Sequence, residues 1–332
     1  MRASLWAAAF VMCVGAMAPA RANDSAAAIG AGGIELVQQG DVAMLSEDLY
    51  VSKTQIRVRY EFRNESASPV STLVAFPLPE LNLAETREIE IGWPSGNQDD
   101  PVGFKVRVDG KPLTPRLERK AMVKGRDVTK DLEAEGVPVV YPFGDFWERV
   151  AKIKKAGIDR LVAKGIVEIV PETREVIPLW TLKSAYYWNQ TFPPGAIVRV
   201  EHEYAPVVGG SFWWQEDPPS FERVAKDEYL RNFCIDRSTF DAIQRKVAEA
   251  RARNPDMTLL SYFDIRYILK TGRNWKGPIG MFRLTVDKGS AANLVSFCAD
   301  GVTKSGPTTF VVERRNWEPD RDLAVLILQP AQ

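Results

Sequence analysis

The stretch Gln55 to Phe62, "QIRVRYEF", sets Ile56, Val58, Tyr60 and Phe62 against Gln55, Arg57, Arg59 and Glu61. Side chains of an extended strand point alternately to opposite faces, so this period of two predicts a strand with one face buried and one in water. The pattern recurs along the chain. "FKVRV" aligns Phe104, Val106 and Val108 and runs into the turn signal Asp109-Gly110. "VRVEHEY" sets Val198, Val200, His202 and Tyr204 against Arg199, Glu201 and Glu203, and "FRLTV" alternates in the same way. "LAVLIL", Leu323 to Leu328, is apolar throughout and predicts a strand covered on both faces.

Two segments between these strands carry a helical period. In "DFWERVAKIKKAGIDRLVAKG", Trp147, Val150, Ile153, Ile158, Leu161 and Val162 form an apolar stripe, with Asp145 as the expected N-cap and Gly165 as the stop. In "RSTFDAIQRKVAEARARNP", Ser238 and Asp241 resemble a capping box, the stripe is Phe240, Ile243, Val247 and Ala250, and Pro255 follows the end. The expected fold is mainly β: two antiparallel β-sandwich-like modules with helical insertions. Residues 23–210 form the N-terminal sandwich, with a helical insertion at about 115–165. Residues 211–332 form a helical connector and a C-terminal β module, the division resting on Gly209-Gly210 and Pro218-Pro219.

The first 22 residues have the form of a secretory signal peptide: Arg2, an apolar run from Leu5 to Met17, and Ala20-Arg21-Ala22 as a small-x-small cleavage site. An uncleaved anchor is the alternative. No later run approaches the roughly 20 apolar residues that a membrane-spanning helix needs. The chain holds 43 basic and 43 acidic residues, and cleavage removes Arg2 and Arg21, so the mature protein is slightly acidic. That balance argues against a nucleic-acid binder. The expected location is periplasmic or secreted. Cleavage also removes Cys13, leaving Cys234 and Cys298, which are expected to form a disulfide in an oxidising compartment; two separate buried thiols are the alternative.

Chemistry-bearing motifs are scarce. The chain has a single histidine, His202, on the apolar side of a strand, where it reads as a core residue and not as the base of a nucleophile pair. One His and two Cys cannot build a four-ligand structural zinc site. No metal and no cofactor are implied. The glycines Gly30 to Gly33 lack the strand before and helix after of a phosphate cradle and read as the flexible start of the mature chain. Glu216 and Asp217 beside Trp213 and Trp214 are the most site-like group, because indole faces with nearby carboxylates hold sugars or cations; the competing reading packs both indoles at the junction of the modules. "TGRNWKGPIGMFRLTV", Thr271 to Val286, reads as a tight Gly/Pro connection with Trp275 folded back onto the sandwich, or as a ligand platform of Trp275 with Asn274.

"NDSAAAIGAGGIELVQQGDVAMLSEDLYVS", "VRYEFRNES" with "VAFPLPEL", "YYWNQTFPPG" leading into "VEHEYAPVVGGS", and "ILKTGRNWKGPIGMFRL" before "VSFC" together resemble the bacterial domain of unknown function 4424 family over nearly all of the mature chain. The resemblance implies a periplasmic or secreted protein and supplies no catalytic residues. "YEFRN", "FPLPE" and "VDGK" are more distantly similar to vault protein inter-alpha-trypsin domains, which are extracellular sandwich modules. The expected function is a non-catalytic envelope protein that binds another envelope protein or a cell-wall component. The alternative is a carbohydrate-binding or carbohydrate-active protein that uses exposed tryptophans and acidic residues.

Overall fold

The computed structural model describes residues 24–30, 33–84, 93–97, 99–141, 146–173, 175–213, 220–253 and 260–330. The expected signal peptide, Trp214, Glu216, Asp217 and Asp145 lie outside these residues. The protein is mainly β. The opening stretch forms the strand Ile56–Asn64, with Ile56, Val58, Tyr60 and Phe62 buried and Arg57 and Arg59 exposed. It lies inside an eight-stranded sheet. From one edge to the other the strands are Thr303–Lys304, Thr309–Trp317, Ile279–Asp287, Val42–Ser52, Ile56–Asn64, Ile197–Tyr204, Lys105–Val108 and Lys111–Leu113. The pair Ile279–Asp287 and Val42–Ser52 is parallel and the other pairs are antiparallel. Asp109 and Gly110 both have positive φ and close the predicted hairpin.

The polar face of this sheet is organised by register. Glu313, Arg283, Asp48, Arg59, Glu201 and Arg107 stand opposite one another on successive strands and alternate in charge. Arg283 meets Glu313 at 3.4 Å and Arg59 meets Glu201 at 3.6 Å. Exposed pairs of this kind each contribute little stability. Placed directly opposite, however, opposite charges favour this register over a shifted one that would set like charges together.

The apolar face is covered by two smaller sheets. One has seven strands, among them Ser25–Gly30, Val70–Pro77, Arg116–Val123 and Thr181–Phe192; the other runs Gly209–Phe212, Leu260–Tyr267, Leu323–Pro330, Leu294–Phe297. The three sheets meet where the Tyr60 and Tyr267 hydroxyls lie 2.8 Å apart and the Phe76 ring lies 6.2 Å from that of Tyr267. Sheet and core both run across the expected division at residue 210: one apolar cluster includes Val58, Phe76 and Val200 from before it and Ile265, Val286 and Val325 from after it.

Local structure departs from the expectations at four places. The predicted first helix is two, Phe146–Ala151 and Lys155–Ala163, separated by an extended Lys154. The break lets Phe146 and Val150 from one helix and Leu161 from the other reach the same cluster around Trp180. Residues Arg116–Val123 at the start of the expected helical insertion are a strand paired with Thr181–Phe192. The long helix Arg237–Arg253 is capped by Asp236, not Ser238: the Asp236 carboxylate accepts from the Thr239 N–H at 2.7 Å and the Ser238 hydroxyl at 2.9 Å. Ser25–Gly30, where a flexible segment was expected, is ordered, since it pairs with Val70–Pro77 on one side and Gly33–Leu36 on the other. Small side chains explain both facts: Ala26 and Ala27 fit where the layers come close, and alanine carries no strand signal in a sequence.

Candidate functional site

The sequence-predicted site residues that are described lie inside the protein. Trp275 is 2% exposed, its ring 4.6 Å from Phe62 and 5.8 Å from Phe192, and its indole N–H donates to the Asp24 carbonyl at 2.6 Å. Asn274 donates to the Ser25 hydroxyl at 2.8 Å and accepts from the Gln38 side-chain amide at 3.2 Å. Trp213 is buried under the long helix, in a cluster with Phe233, Ile243 and Leu326. None of these three side chains presents a face to a ligand. The turn containing Trp275 instead locks the N-terminal strand against the main sheet. Just after the turn, within the main sheet, Gly280 passes so close to Leu45 of the neighbouring strand that an added Cβ would lie 2.6 Å from the Leu45 carbonyl oxygen.

His202 is equally enclosed. Its Nε2 lies 2.9 Å from an Asp24 carboxylate oxygen, both side chains have no exposed surface, and rings of Phe76, Phe104, Tyr60 and Trp188 surround the imidazole at 5.0 to 5.7 Å. Burial pushes the Asp24 carboxyl above the usual carboxylate range, and the neighbouring His202 partly opposes this. The second Asp24 oxygen and His202 Nδ1 are buried without a hydrogen-bond partner among the described residues. A substrate cannot reach this pair, so it serves the core and not a reaction.

Cys234 and Cys298 form a disulfide, S–S 2.06 Å. It joins the end of the short helical turn Leu230–Phe233 to the residue after the strand Leu294–Phe297. The bridge spans 64 positions of sequence, a loop for which the chain-entropy model gives about 4 kcal/mol as the unstrained figure. Replacing both cysteines by serine is expected to lower stability by about 2–4 kcal/mol, read as a fall in urea midpoint. A midpoint unchanged from that of the parent protein would contradict the bridge.

Beside this bridge lies an open groove with a cavity volume of about 840 Å³, within the range of ligand clefts. Its origin is a mismatch in width. The four-stranded cover ends at Leu294–Phe297, whereas the main sheet continues to Thr309–Trp317 and Thr303–Lys304. Part of the inner face of Thr309–Trp317 is left incompletely covered, at Phe310 and Trp317. Half-buried Phe310 and Trp317 are the apolar surface open to the groove, above the buried Phe282, Leu284 and Val312; the Trp317 ring lies 4.5 Å from that of Phe282. Val295 to Cys298 form one wall, and Asp300 and Glu318 to Asp322 form the rim. Five carboxylates line the groove, Asp236, Asp300, Glu318, Asp320 and Asp322, against two cations, Arg314 and Arg321. Hydrogen bonds to the start of the long helix hold the Asp236 carboxyl below the usual range, and the Arg321 guanidinium does the same for Asp320. Arg314 is engaged with the Asp300 and Glu313 carbonyls. Among the described residues no group of three or more His, Cys, Asp or Glu has a metal-binding arrangement.

Sequence reasoning did not single out Phe310, Arg314 or Trp317. The segment "TFVVERRNW" carries a weak alternation, Phe310, Val312 and Arg314 against Val311 and Glu313. It holds no sign that the covering sheet stops short of it.

The geometry defines a β-rich protein with a sealed polar core and an open, acid-rimmed apolar groove. The chain belongs to the family described as Domain of unknown function (DUF4424), whose model matches residues 22–326. No curated protein sequence matches it. Among solved structures, a "putative nutrient binding protein" from Legionella pneumophila is 18% identical with a TM-score of 0.46, over 88% of this chain and 68% of its own. A mutant M1 zinc metallopeptidase from Deinococcus radiodurans, bound to a peptide substrate, is 8% identical with a TM-score of 0.25, over 88% of this chain and 43% of its own. At these scores neither alignment carries a function across.

Proposed function

We propose that the protein is a non-catalytic binding protein of the periplasm or of the secreted fraction, and that it takes an envelope protein in the groove between Leu294–Phe297 and Thr309–Trp317. The observation that carries this reading is the open groove beside Leu294–Phe297, where half-buried Phe310 and Trp317 and exposed Val302 leave apolar surface next to an acidic rim. The Cys234–Cys298 bridge fits an oxidising compartment, and among the described residues no helix is long and apolar enough to cross a membrane. A stiff disulfide-tied strand beside a concave surface suits binding, where the geometry must be held ready before the partner arrives.

The test is photocrosslinking in the native envelope from Val302, which is exposed and lines the groove, with Ile197 as an exposed control outside it. The expected result is a reproducible protein adduct from Val302 and none from Ile197. Adducts to glycan would replace the protein reading with the cell-wall one, and equal labelling from both positions would remove the groove from function.

A further inference from the structure

The shape of the groove specifies more than its location. The strand Leu294–Phe297 pairs only with Leu323–Pro330, so the backbone groups of its other edge face the groove with no strand beside them. Open edges of this kind are usually blunted by charge, proline or a covering element, because they invite a further strand. Here the edge residues are Leu294, Val295, Ser296 and Phe297, with no charge and no proline. The floor beside the edge is the inner face of the neighbouring sheet, apolar and only half-buried at Phe310 and Trp317. The four-stranded sheet thus ends in an open strand edge beside the groove.

We infer that the groove receives an extended, basic segment of a partner protein, which adds as a fifth strand alongside Leu294–Phe297 and completes the cover over the main sheet. This rests on the binding role proposed above and names its ligand chemistry. Strand addition uses main-chain hydrogen bonds for affinity and alternate side chains for specificity. A strand lying about 4.8 Å beyond the edge would turn every second side chain down towards the main sheet, where Phe310 and Trp317 are only half-buried, so those positions must be apolar. The remaining side chains and the ends of the segment face the helix start at Asp236 and the rim. The Asp300 and Glu318 carboxylates stand there with no ion pair among the described residues, and Asp320 is shared with Arg321. An alternation of apolar residues with lysine or arginine satisfies both surfaces, whereas an acidic segment would meet like charge.

The probes are two blocked synthetic octapeptides, alternating valine with lysine and valine with glutamate, added to the oxidised mature protein. The expected result is that the lysine peptide binds at least tenfold more tightly than the glutamate peptide and slows amide hydrogen exchange in Leu294–Phe297 at least tenfold. Reversing rim charge with Glu318→Lys and Asp320→Lys, both at exposed positions, is expected to weaken the lysine peptide about tenfold while leaving the melting temperature unchanged. Binding without slowed exchange in Leu294–Phe297 would overturn strand addition. Equal binding of the two peptides, or indifference to the rim variants, would overturn the basic ligand. If neither peptide binds while Val302 still crosslinks to a protein, this inference fails and the binding role survives. If Val302 also gives no adduct, both fail.

Discussion

Truncating Trp275 to alanine is expected to destabilise the protein by about 3–5 kcal/mol, one of the largest effects available from a single side chain. The indole is 2% exposed and packs on Phe62 and Phe192 in the main core. Its loss opens a cavity that the surrounding strands cannot close, because the neighbouring residues are fixed in sheet register. The truncation also strands the Asp24 carbonyl, whose donor at 2.6 Å disappears. Urea denaturation of parent and variant measures the difference, and Trp275→Phe should recover most of the packing but not the hydrogen bond. A Trp275→Ala protein that unfolds at the parent midpoint would mean that this ring does not hold the N-terminal strand.

His202→Ala is the second. It removes the partner of a fully buried carboxylate, and breaking such a pair typically costs about 3–5 kcal/mol because the remaining charge has no compensation. The loss should depend on pH in a defined direction. Burial already raises the Asp24 carboxyl from its ordinary 3.8, and without the opposing influence of His202 the rise is larger. A carboxyl with a raised folded-state value is stabilising in its neutral form. That contribution is complete below its unfolded value and is lost as pH climbs through the folded one. The deficit of His202→Ala relative to the parent should therefore be greatest near neutral pH and shrink as pH falls towards about 4. Urea midpoints across that window measure it, and a deficit that does not change with pH would show that Asp24 is not the residue left exposed to the change.

Both substitutions act on one assembly. Asp24 meets His202 through its side chain and Trp275 through its carbonyl, and Ser25 meets Asn274. Residues from the N-terminal strand segment, the main sheet and the C-terminal third are thereby held in a single polar knot within an apolar core. Its energetic weight comes from burial: each of these groups has given up water, so each depends on the partner that replaced it.

Local periodicity carried most of the fold class. Ile56 to Phe62 and Val198 to Tyr204 alternate in sequence and alternate in burial, and Asp109-Gly110 makes the turn it signals. His202 could be placed in the core from the side of the strand it occupies, whereas the Cys234–Cys298 bond was an expectation beside that of two separate thiols, decided by the structure. Other features were invisible for identifiable reasons. The N-terminal strand is built of alanines that have no strand preference of their own, and the broken helix at Lys154 answers to a shared apolar cluster. Trp213, Asn274 and Trp275 were candidate ligand contacts because residue type alone cannot separate an indole that plugs a core from one that faces water. The groove left least trace of all, since Phe310 and Trp317 look like any half-buried strand residues.

By itself, then, the sequence determined that this is a mainly β protein with amphipathic strands and one core histidine, because these follow from side-chain period and composition over a few residues. Only the tertiary structure decided that Ile279–Asp287 runs parallel to Val42–Ser52 across more than two hundred positions, and that the four-stranded sheet ends at Leu294–Phe297 beside the groove lined by Phe310 and Trp317. Strand partnership and sheet width depend on which distant segments bury each other's apolar faces. That choice is made by the core as a whole and has no period for a local reading to detect.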